Sequence, residues 1–267
     1  MALTGSVRRL ASGAYGTALR TFYGGVGFPW QVHDEIVRID PDARHLVPHE
    51  SEPDLFRGLR ATIRPGDVVL DVGAFVGIYA ILEARWAGDQ GRVVAFEPTP
   101  SSATLARRHF AWNGETSRRI TLIEAAVSDR ATRGVLHEYD AHGMPYTNSL
   151  AKAADTDRPA RTREIPVVTI DDVCREHRIV PSVIRMDVQG AEMHALLGAR
   201  ETIRSAPRLT LLVEMHPQCW PEFGVTEADV RRTIQELGLS ARPLAAGEKL
   251  FARDAHAVLT RDGSAAA

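Results

Sequence analysis

The chain is poor in cysteine and in lysine. Its 267 residues include only two cysteines, Cys174 and Cys219, and only two lysines, Lys152 and Lys249. Two cysteines make neither a disulfide framework nor a zinc-binding cluster, and we expect a cytoplasmic protein in a reducing compartment. Because the formal net charge is only -2, the composition does not predict binding to nucleic acid or to an acidic membrane.

Long apolar runs and aromatic residues are also scarce. No apolar stretch reaches the length of a membrane-spanning helix, since Asp71 interrupts the strongest one. Aromatic residues make up 6% of the chain, which offers no evident platform for stacking nucleic-acid bases. The remaining composition is typical of a soluble globular protein, and the length fits one large α/β domain.

The N-terminal segment differs in charge from the rest of the chain. The first 33 residues contain no acidic residue, and apolar residues recur at helical spacing from Val7 to Phe22. We expect residues 1–50 to form a helical and β-ribbon segment, with a short hairpin over 35–47, that packs on the main domain or covers its pocket. The alternative is a targeting segment or a helix on a membrane surface.

Residues 51–262 are expected to form the main domain, in which strands and helices alternate. This alternation predicts an α/β fold with a mostly parallel, doubly wound, Rossmann-like sheet and a C-terminal antiparallel hairpin built from 250–252 and 257–259. The segment 140–163 lacks periodicity and is expected to be a mobile loop near the pocket. Strands are predicted at 68–71, 92–97, 120–127, 165–169, 182–187 and 209–215, and helices at 54–63, 78–86, 100–112, 170–177, 191–203 and 226–237.

The segment 68–79 is the most informative part of the chain. An apolar run ends in Asp71, and a turn with Gly73 and Gly77 four positions apart follows. This spacing is not the G-x-G-x-x-G of a dinucleotide site. Asp71 can hold an ammonium group directly or through water, and the glycines allow the backbone to close over a carboxylate and a sugar. S-adenosylmethionine (SAM) carries these groups; the structural alternative for Asp71 is a helix cap.

A second acid supports the prediction of a nucleoside site. Glu97 ends the next predicted strand, 24 residues after Gly73, and an acid at this place can accept hydrogen bonds from two ribose hydroxyls. Taken alone, Glu97 could be a solvated loop acid. Together with Asp71 it predicts SAM binding; the glycine spacing argues against the alternative of a nicotinamide oxidoreductase.

Polar residues also follow the strands on the other half of the predicted sheet. Asp187 ends one strand, and Glu214 and His216 close the next, so all three are expected at one edge. They can deprotonate an acceptor, or Asp187 and Glu214 can hold a divalent metal. The structural alternatives are a helix cap for Asp187, an arginine ion pair for Glu214 and a turn role for His216. Glu192 is expected only to complement the dipole of its helix.

Several of these motifs, in this order, resemble the FkbM family of SAM-dependent methyltransferases. The resemblance covers about 52–216 and rests on E-P-D-L (52–55), P-G-D-V-V-L-D-V-G-A (65–74), F-E-P (96–98), A-V-S-D (126–129), D-V-Q-G-A-E (187–192) and V-E-M-H-P (213–217). It implies a class I methyltransferase fold, SAM as methyl donor and, usually, transfer to an oxygen of a sugar or natural product, as in secondary metabolism. It places SAM beside Glu52, Asp71, Gly73, Ala74, Phe75, Gly77, Glu97, Pro98, Ala126 and Val127.

The chain departs from the family at two positions. Phe75 stands where the first loop often has an asparagine, and Gln189 stands where the family often has an acid. The resulting hypothesis has Asp187 or His216 as the base, with Glu214 orienting it or joining a metal, and a small-molecule acceptor as partner. Methylation of nitrogen or of a carboxylate, a SAM-binding assembly protein without turnover, and a homodimer remain open alternatives.

Overall fold

The structure, a computed structural model, describes residues 18–139, 148–150 and 160–261. Its strands are β1 (Phe28–Val32), β2 (Glu35–Ile39), β3 (Val68–Val72), β4 (Arg92–Phe96), β5 (Ile120–Ile123), β6 (Ala126–Val127), β7 (Thr132–Tyr139), β8 (Ala160–Val168), β9 (Val183–Met186), β10 (Thr210–Met215), β11 (Leu239–Pro243) and β12 (Ala255–Arg261). Its α-helices include α1 (Pro53–Thr62), α2 (Ile78–Ala87), α3 (Pro100–Trp112), α4 (Ile170–His177), α5 (Glu192–Leu197), α6 (Arg200–Ser205) and α7 (Glu227–Glu236). Short 3-10 helices span Pro41–Leu46, Gly114–Arg119 and Trp220–Phe223.

The central sheet has seven strands in the order β11-β12-β10-β9-β3-β4-β5. Its five strands from β10 to β5 pair in parallel, while β12 runs antiparallel to β10 and β11 antiparallel to β12. The predicted α/β fold with a mostly parallel sheet and an antiparallel C-terminal hairpin is therefore confirmed.

Both faces of this sheet are covered by apolar side chains. Val69 in β3 packs into a cluster with residues of α1 and α2, such as Leu55 and Ile81. The next residue, Leu70, packs into a second cluster with residues of α4 and α7, such as Val173. Successive strand residues point to opposite faces, so strands buried on both faces read as continuous apolar runs. This explains why these strands can be recognised in the sequence.

The C-terminal hairpin uses different segments from those predicted. Its first strand is Leu239–Pro243 rather than 250–252, and its second is Ala255–Arg261. Phe251 lies in a turn with φ of 70° and is buried against Trp220, with ring centroids 5.8 Å apart. The apolar run at 250–252 therefore reflects burial of a turn in the core.

Three other elements differ from the predictions. The strand expected over 120–127 is divided into β5 and β6, which belong to different sheets. The helix expected over 191–203 is divided near Gly198, where a Cβ would lie 2.0 Å from the carbonyl oxygen of Ser128. The segment expected to be a loop contributes residues 160–163 to β8, which pairs with β6 and with β7, a strand that was not predicted. Residues 140–147 and 151–159 lie outside the described residues.

The N-terminal hairpin is also shifted from its predicted position. It pairs β1 with β2, whereas 41–46 forms a 3-10 helix. The Trp30 indole donates a hydrogen bond to the carbonyl oxygen of Val47 at 2.8 Å and stacks on His49. This contact ties the segment after the 3-10 helix to the hairpin. Residues 1–17, where an amphipathic helix was predicted, lie outside the described residues, and none of the described helices is long and apolar enough to cross a bilayer.

Candidate active site

A cavity of about 470 Å³ lies at the carboxyl ends of β3, β4 and β9. One side is formed by residues at and after the ends of these strands, 72–76, 78–79, 96–98, 187–189 and 191. The other side includes Val32 and residues 45–48, which belong to the N-terminal segment. A cavity of this size and position is typical of a small-molecule site in an open α/β sheet.

The cavity brings together most of the residues that were predicted to contact a cofactor. Asp71 and Gly77 are the two exceptions, since neither forms part of its lining. The eight that line it are Glu52, Gly73, Ala74, Phe75, Glu97, Pro98, Ala126 and Val127.

The turn after β3 is held against the neighbouring strands. Gly73 has φ of 87°, and a Cβ added there would lie 1.9 Å from the carbonyl oxygen of Asp187. The backbone N–H groups of Gly73 and Ala74 both donate to the carbonyl oxygen of Phe96, at 3.0 and 2.9 Å. Only glycine fits the first position, for both steric and conformational reasons.

Glu97 connects this turn to the tip of β4. Its Oε2 accepts a hydrogen bond from the backbone N–H of Phe75 at 2.8 Å, and its Oε1 accepts one from Thr99 at 2.7 Å. The side chain is 5% exposed, and burial raises its pKa to about 7 although both hydrogen bonds oppose the shift. Each carboxylate oxygen has a second acceptor site, so Glu97 retains capacity to bind a ligand.

Asp71 does not line the cavity and is paired with an arginine. It is fully buried, and its Oδ1 accepts a hydrogen bond from Arg185 at 3.0 Å. Arg185 also donates to the carbonyl oxygen of Gly73 at 2.9 Å and to Asp187 Oδ2 at 3.0 Å. Its guanidinium lies 4.9 Å from the ring centroid of Tyr79. Desolvation raises the pKa of Asp71, which the charge of Arg185 opposes. Asp71 therefore anchors the arginine that shapes the turn.

His216 is fixed by Glu192, a residue for which only a helix-dipole role was predicted. His216 Nδ1 lies 2.7 Å from Glu192 Oε1, so the ring donates its Nδ1 proton to a fully buried carboxylate. The same carboxylate accepts hydrogen bonds from the Trp220 indole and the backbone of Gly190, both at 2.8 Å. The dipole interpretation is thus incomplete, because Glu192 sets the orientation of the histidine and stabilises its protonated form.

The other nitrogen of His216 faces the remaining polar groups. Its Nε2 lies 3.0 Å from Gln189 Nε2, 3.6 Å from Glu214 Oε1 and 3.8 Å from Asp187 Oδ1. Burial alone would lower the pKa of His216, but the hydrogen bond and charge of Glu192, with Asp187 and Glu214, raise it to about 9. The imidazole is therefore protonated at neutral pH.

Glu214 lies between two histidines, whereas the structural alternative had paired it with an arginine. Its Oε2 is 3.7 Å from His256 Nε2, and that nitrogen is 3.1 Å from Glu52 Oε1. Burial and then the charge of Asp187 raise the pKa of Glu214 to about 7. His256 is not among the predicted site residues, because the predicted hairpin strand 257–259 begins one residue after it and only the β10–β12 pairing places it opposite Glu214.

The three predicted catalytic residues thus lie in one cluster, but only one of them faces the cavity. Asp187 lines the cavity together with Arg185 and Gln189, whereas Glu214 and His216 do not. Gln189 Nε2 donates to Asp187 Oδ1 at 3.3 Å from a backbone with φ of 48°. A non-glycine residue in this conformation is uncommon and is often found at functional sites.

The chain also resembles known proteins. Residues 71–240 match the family model described as the methyltransferase FkbM domain. A comparison with curated protein sequences gives no significant match.

Similar solved structures include methyltransferase FkbM from Methylobacillus flagellatus KT, at 16% identity and a TM-score of 0.47, covering 77% of this chain and 50% of that one. The chain thus spans half the length of the Methylobacillus protein. The O-methyltransferase from Bacillus cereus in complex with SAH has 13% identity and a TM-score of 0.47, covering 82% and 84%. A putative O-methyltransferase from Klebsiella pneumoniae has 15% identity and a TM-score of 0.49, covering 82% and 85%.

Proposed function

Since the chain belongs to the FkbM methyltransferase family, we propose that it transfers a methyl group from SAM to a hydroxyl oxygen of a small-molecule sugar or natural product. The observation that carries the proposal is the position of Glu97. Its carboxylate lies at the tip of β4, is bound to the turn through Phe75, and lines the cavity. An acid in this place can accept hydrogen bonds from two ribose hydroxyls.

The cavity also suits the rest of a nucleoside and a cationic centre. Ala126 and Val127 provide an apolar wall beyond Glu97, where an adenine can pack. Glu52, Glu97 and Asp187 line the cavity with carboxylates, against which Arg185 supplies one permanent positive charge. Because SAM supplies an activated methyl group on a positively charged sulfonium, this surplus of carboxylates favours its binding.

Asp187 is the residue we assign to the acceptor hydroxyl. Of the three candidate residues, it alone lines the cavity. Arg185, Gln189 and the protonated His216 surround its carboxylate and fix its position. In this arrangement Asp187 accepts a hydrogen bond from the hydroxyl, orients the oxygen and receives its proton. His216 and Glu192 are positioning residues, because at neutral pH the imidazole already carries a proton.

The proposal is tested by following label from methyl-labelled SAM into a panel of neutral sugars and polyketide-like alcohols. An O-methyl ether retains the label in alkali, whereas a methyl ester releases it, and mass spectrometry separates N-methyl products from both. We expect an alkali-stable ether. A protein that binds SAM but labels no acceptor in the panel would support the binding-protein alternative.

Variants of the candidate base separate its role from cofactor binding. We expect Asp187→Asn to abolish methyl transfer while retaining binding of the demethylated product S-adenosylhomocysteine (SAH). His216→Ala should lower turnover less than Asp187→Asn, since that side chain acts through Asp187. Near-normal turnover in both variants would remove the assignment of this cluster to catalysis.

A further inference from the structure

Two carboxylates and an imidazole converge beside the cavity. Glu52 precedes α1, while Glu214 and His256 stand directly opposite each other on β10 and β12. Glu52 Oε1 and Glu214 Oε2 lie 3.1 and 3.7 Å from His256 Nε2. One ligand atom from each of the three side chains lies within 4.8 Å of the others. Such separations suit atoms that surround one metal ion, whose bonds to oxygen and nitrogen are about 2.0–2.2 Å long.

The electrostatics of this group favour a bound cation. The three side chains are 17–27% exposed, so water screens their charges only partly. Among the described residues, none of the recorded hydrogen bonds is donated to Glu214, whose nearest cationic partners are the Nε2 atoms of His216 and His256 at 3.6 and 3.7 Å. The nearby Arg185 is already bound to Asp71, to Asp187 and to the carbonyl oxygen of Gly73. Glu214 is therefore a partly buried carboxyl group with free acceptor capacity.

A neighbouring group, Asp187 with Glu214 and His216, has comparable distances but less free capacity. Both oxygens of Asp187 accept hydrogen bonds, from Arg185 and from Gln189. Both ring nitrogens of His216 have close partners, Glu192 at 2.7 Å and Gln189 at 3.0 Å. An ion in that group would have to displace these contacts. In the group formed by Glu52, Glu214 and His256, an ion would replace the proton between His256 Nε2 and Glu52 Oε1, while the contacts of Asp187 and His216 would remain.

We propose that Glu52, Glu214 and His256 bind a divalent transition-metal ion of the Mn²⁺, Fe²⁺ or Zn²⁺ class. The mixed set of two oxygens and one nitrogen favours these ions over Mg²⁺ and Ca²⁺, which prefer oxygen ligands alone. Three protein ligands leave coordination positions open. Because Glu52 lines the cavity, an ion held there can also bind an oxygen of the acceptor and lower the pKa of its hydroxyl. Only this last role rests on the proposed function.

The test is calorimetric titration of the full-length, EDTA-treated protein with MnCl₂ alone. We expect saturable binding of one ion. Each of Glu52→Gln, Glu214→Gln and His256→Gln should lower the Mn²⁺ affinity about 10-fold or more, because even the loss of a residue that only contacts a metal ligand lowers affinity by about this factor. Glu236→Gln, an exposed substitution on α7, is the matched control and should bind as wild type. Circular dichroism shows whether each variant is folded, and SAH binding is a second check for Glu214→Gln and His256→Gln, whose side chains do not line the cavity.

Two further variants locate the ion. Asp187→Asn and His216→Gln should retain Mn²⁺ affinity within about 3-fold, because they alter only the neighbouring group. The proposal is overturned if these two lose binding while Glu52→Gln and His256→Gln keep it, or if the folded wild-type protein shows no saturable Mn²⁺ binding. SAH binding without Mn²⁺ binding would reject the metal site and leave the proposed cofactor site intact.

Discussion

Gly73 shows how a single position controls the shape of the site. Its backbone has φ of 87°, and an added Cβ would lie 1.9 Å from the carbonyl oxygen of Asp187. Gly224 has a similar φ of 67°, but a Cβ there would meet nothing within 4 Å. Both glycines therefore adopt a left-handed backbone conformation, but only at Gly73 would a side chain also collide with the neighbouring backbone.

This pair gives a prediction on stability. Gly224→Ala should lower the free energy of unfolding by about 1–2 kcal/mol, the cost of a left-handed backbone for an L-residue. Gly73→Ala should lower it by at least about 3 kcal/mol, because the turn must also move away from β9. Urea denaturation of both variants measures the difference. Equal losses in the two variants would mean that the close approach to Asp187 is easily relaxed.

Glu192 provides a prediction about His216. Replacement of its charge in Glu192→Gln should lower the pKa of His216 from about 9, because the hydrogen bond and charge of this carboxylate raise that pKa. Titration of the histidine ring signals by NMR measures the shift. Glu201→Gln, an exposed change on α6, should leave the His216 titration unchanged. An unaltered titration in Glu192→Gln would remove its role as the orienting residue.

Some of the site residues could be predicted from sequence, and others could not. Glu97 and Asp187 were recognisable because each directly follows an apolar strand, and strand ends meet at one edge of a parallel sheet. Arg185 was overlooked because it lies inside the short strand V-I-R-M and binds Asp71 of β3 and Gly73 of the turn after β3, which are distant in sequence. The position of His256 in the site depends on the pairing of β10 with β12, which the local sequence does not encode.

At the scale of elements, burial decides which strands are recognisable. The central strands β3 and β9 are mostly apolar and buried on both faces, and their predicted ends lie within about two residues of the observed ones. By contrast, β7 has the sequence T-R-G-V-L-H-E-Y, in which Leu136 is the one buried residue among 132–138. Its position depends on pairing with β8, so its amphipathic pattern is too weak to predict a strand.

The N-terminal hairpin gives a prediction about one wall of the cavity. Trp30 in β1 holds the carbonyl of Val47 and stacks on His49 with ring centroids 4.0 Å apart. Trp30→Ala should therefore loosen residues 45–50, while SAH binding stays within about 3-fold of wild type.

Hydrogen–deuterium exchange measures this effect as lost protection of the backbone in 45–50. Phe22→Ala, a change at a residue that is 77% exposed, should leave that protection unchanged and serves as the control. Unaltered exchange in Trp30→Ala would show that the wall is held by other contacts.

For the molecule as a whole, the raised pKa of His216 links stability to pH. The pKa rises from 6.5 to about 9 in the folded state, so the folded protein binds this proton more tightly than the unfolded chain. The contribution to stability is fully present below pH 6.5 and is lost as the pH rises to about 9. Its size is about 3 kcal/mol, from the shift and the linkage relation.

The corresponding prediction concerns the interval between pH 7 and pH 9. The free energy of unfolding of the wild-type protein should decrease across it, and His216→Gln should show a smaller decrease. Glu97 and Glu214 have pKa values raised from 4.5 to about 7. Their contribution to stability is lost mostly as the pH rises from 4.5 to 7, so it changes little between pH 7 and pH 9. Urea denaturation at several pH values measures both slopes; equal slopes would show that His216 does not bind its proton more tightly in the folded state.

The most direct test of the account is calorimetric titration of the purified protein with SAH. The wild-type protein and the exposed control Glu236→Ala should bind it with micromolar affinity. Glu97→Ala should bind at least about 10-fold more weakly, since a hydrogen bond to a charged group contributes about 1.5–3 kcal/mol. Absence of binding to folded wild-type protein, or equal affinity in Glu97→Ala, would contradict the assignment of this cavity to SAM.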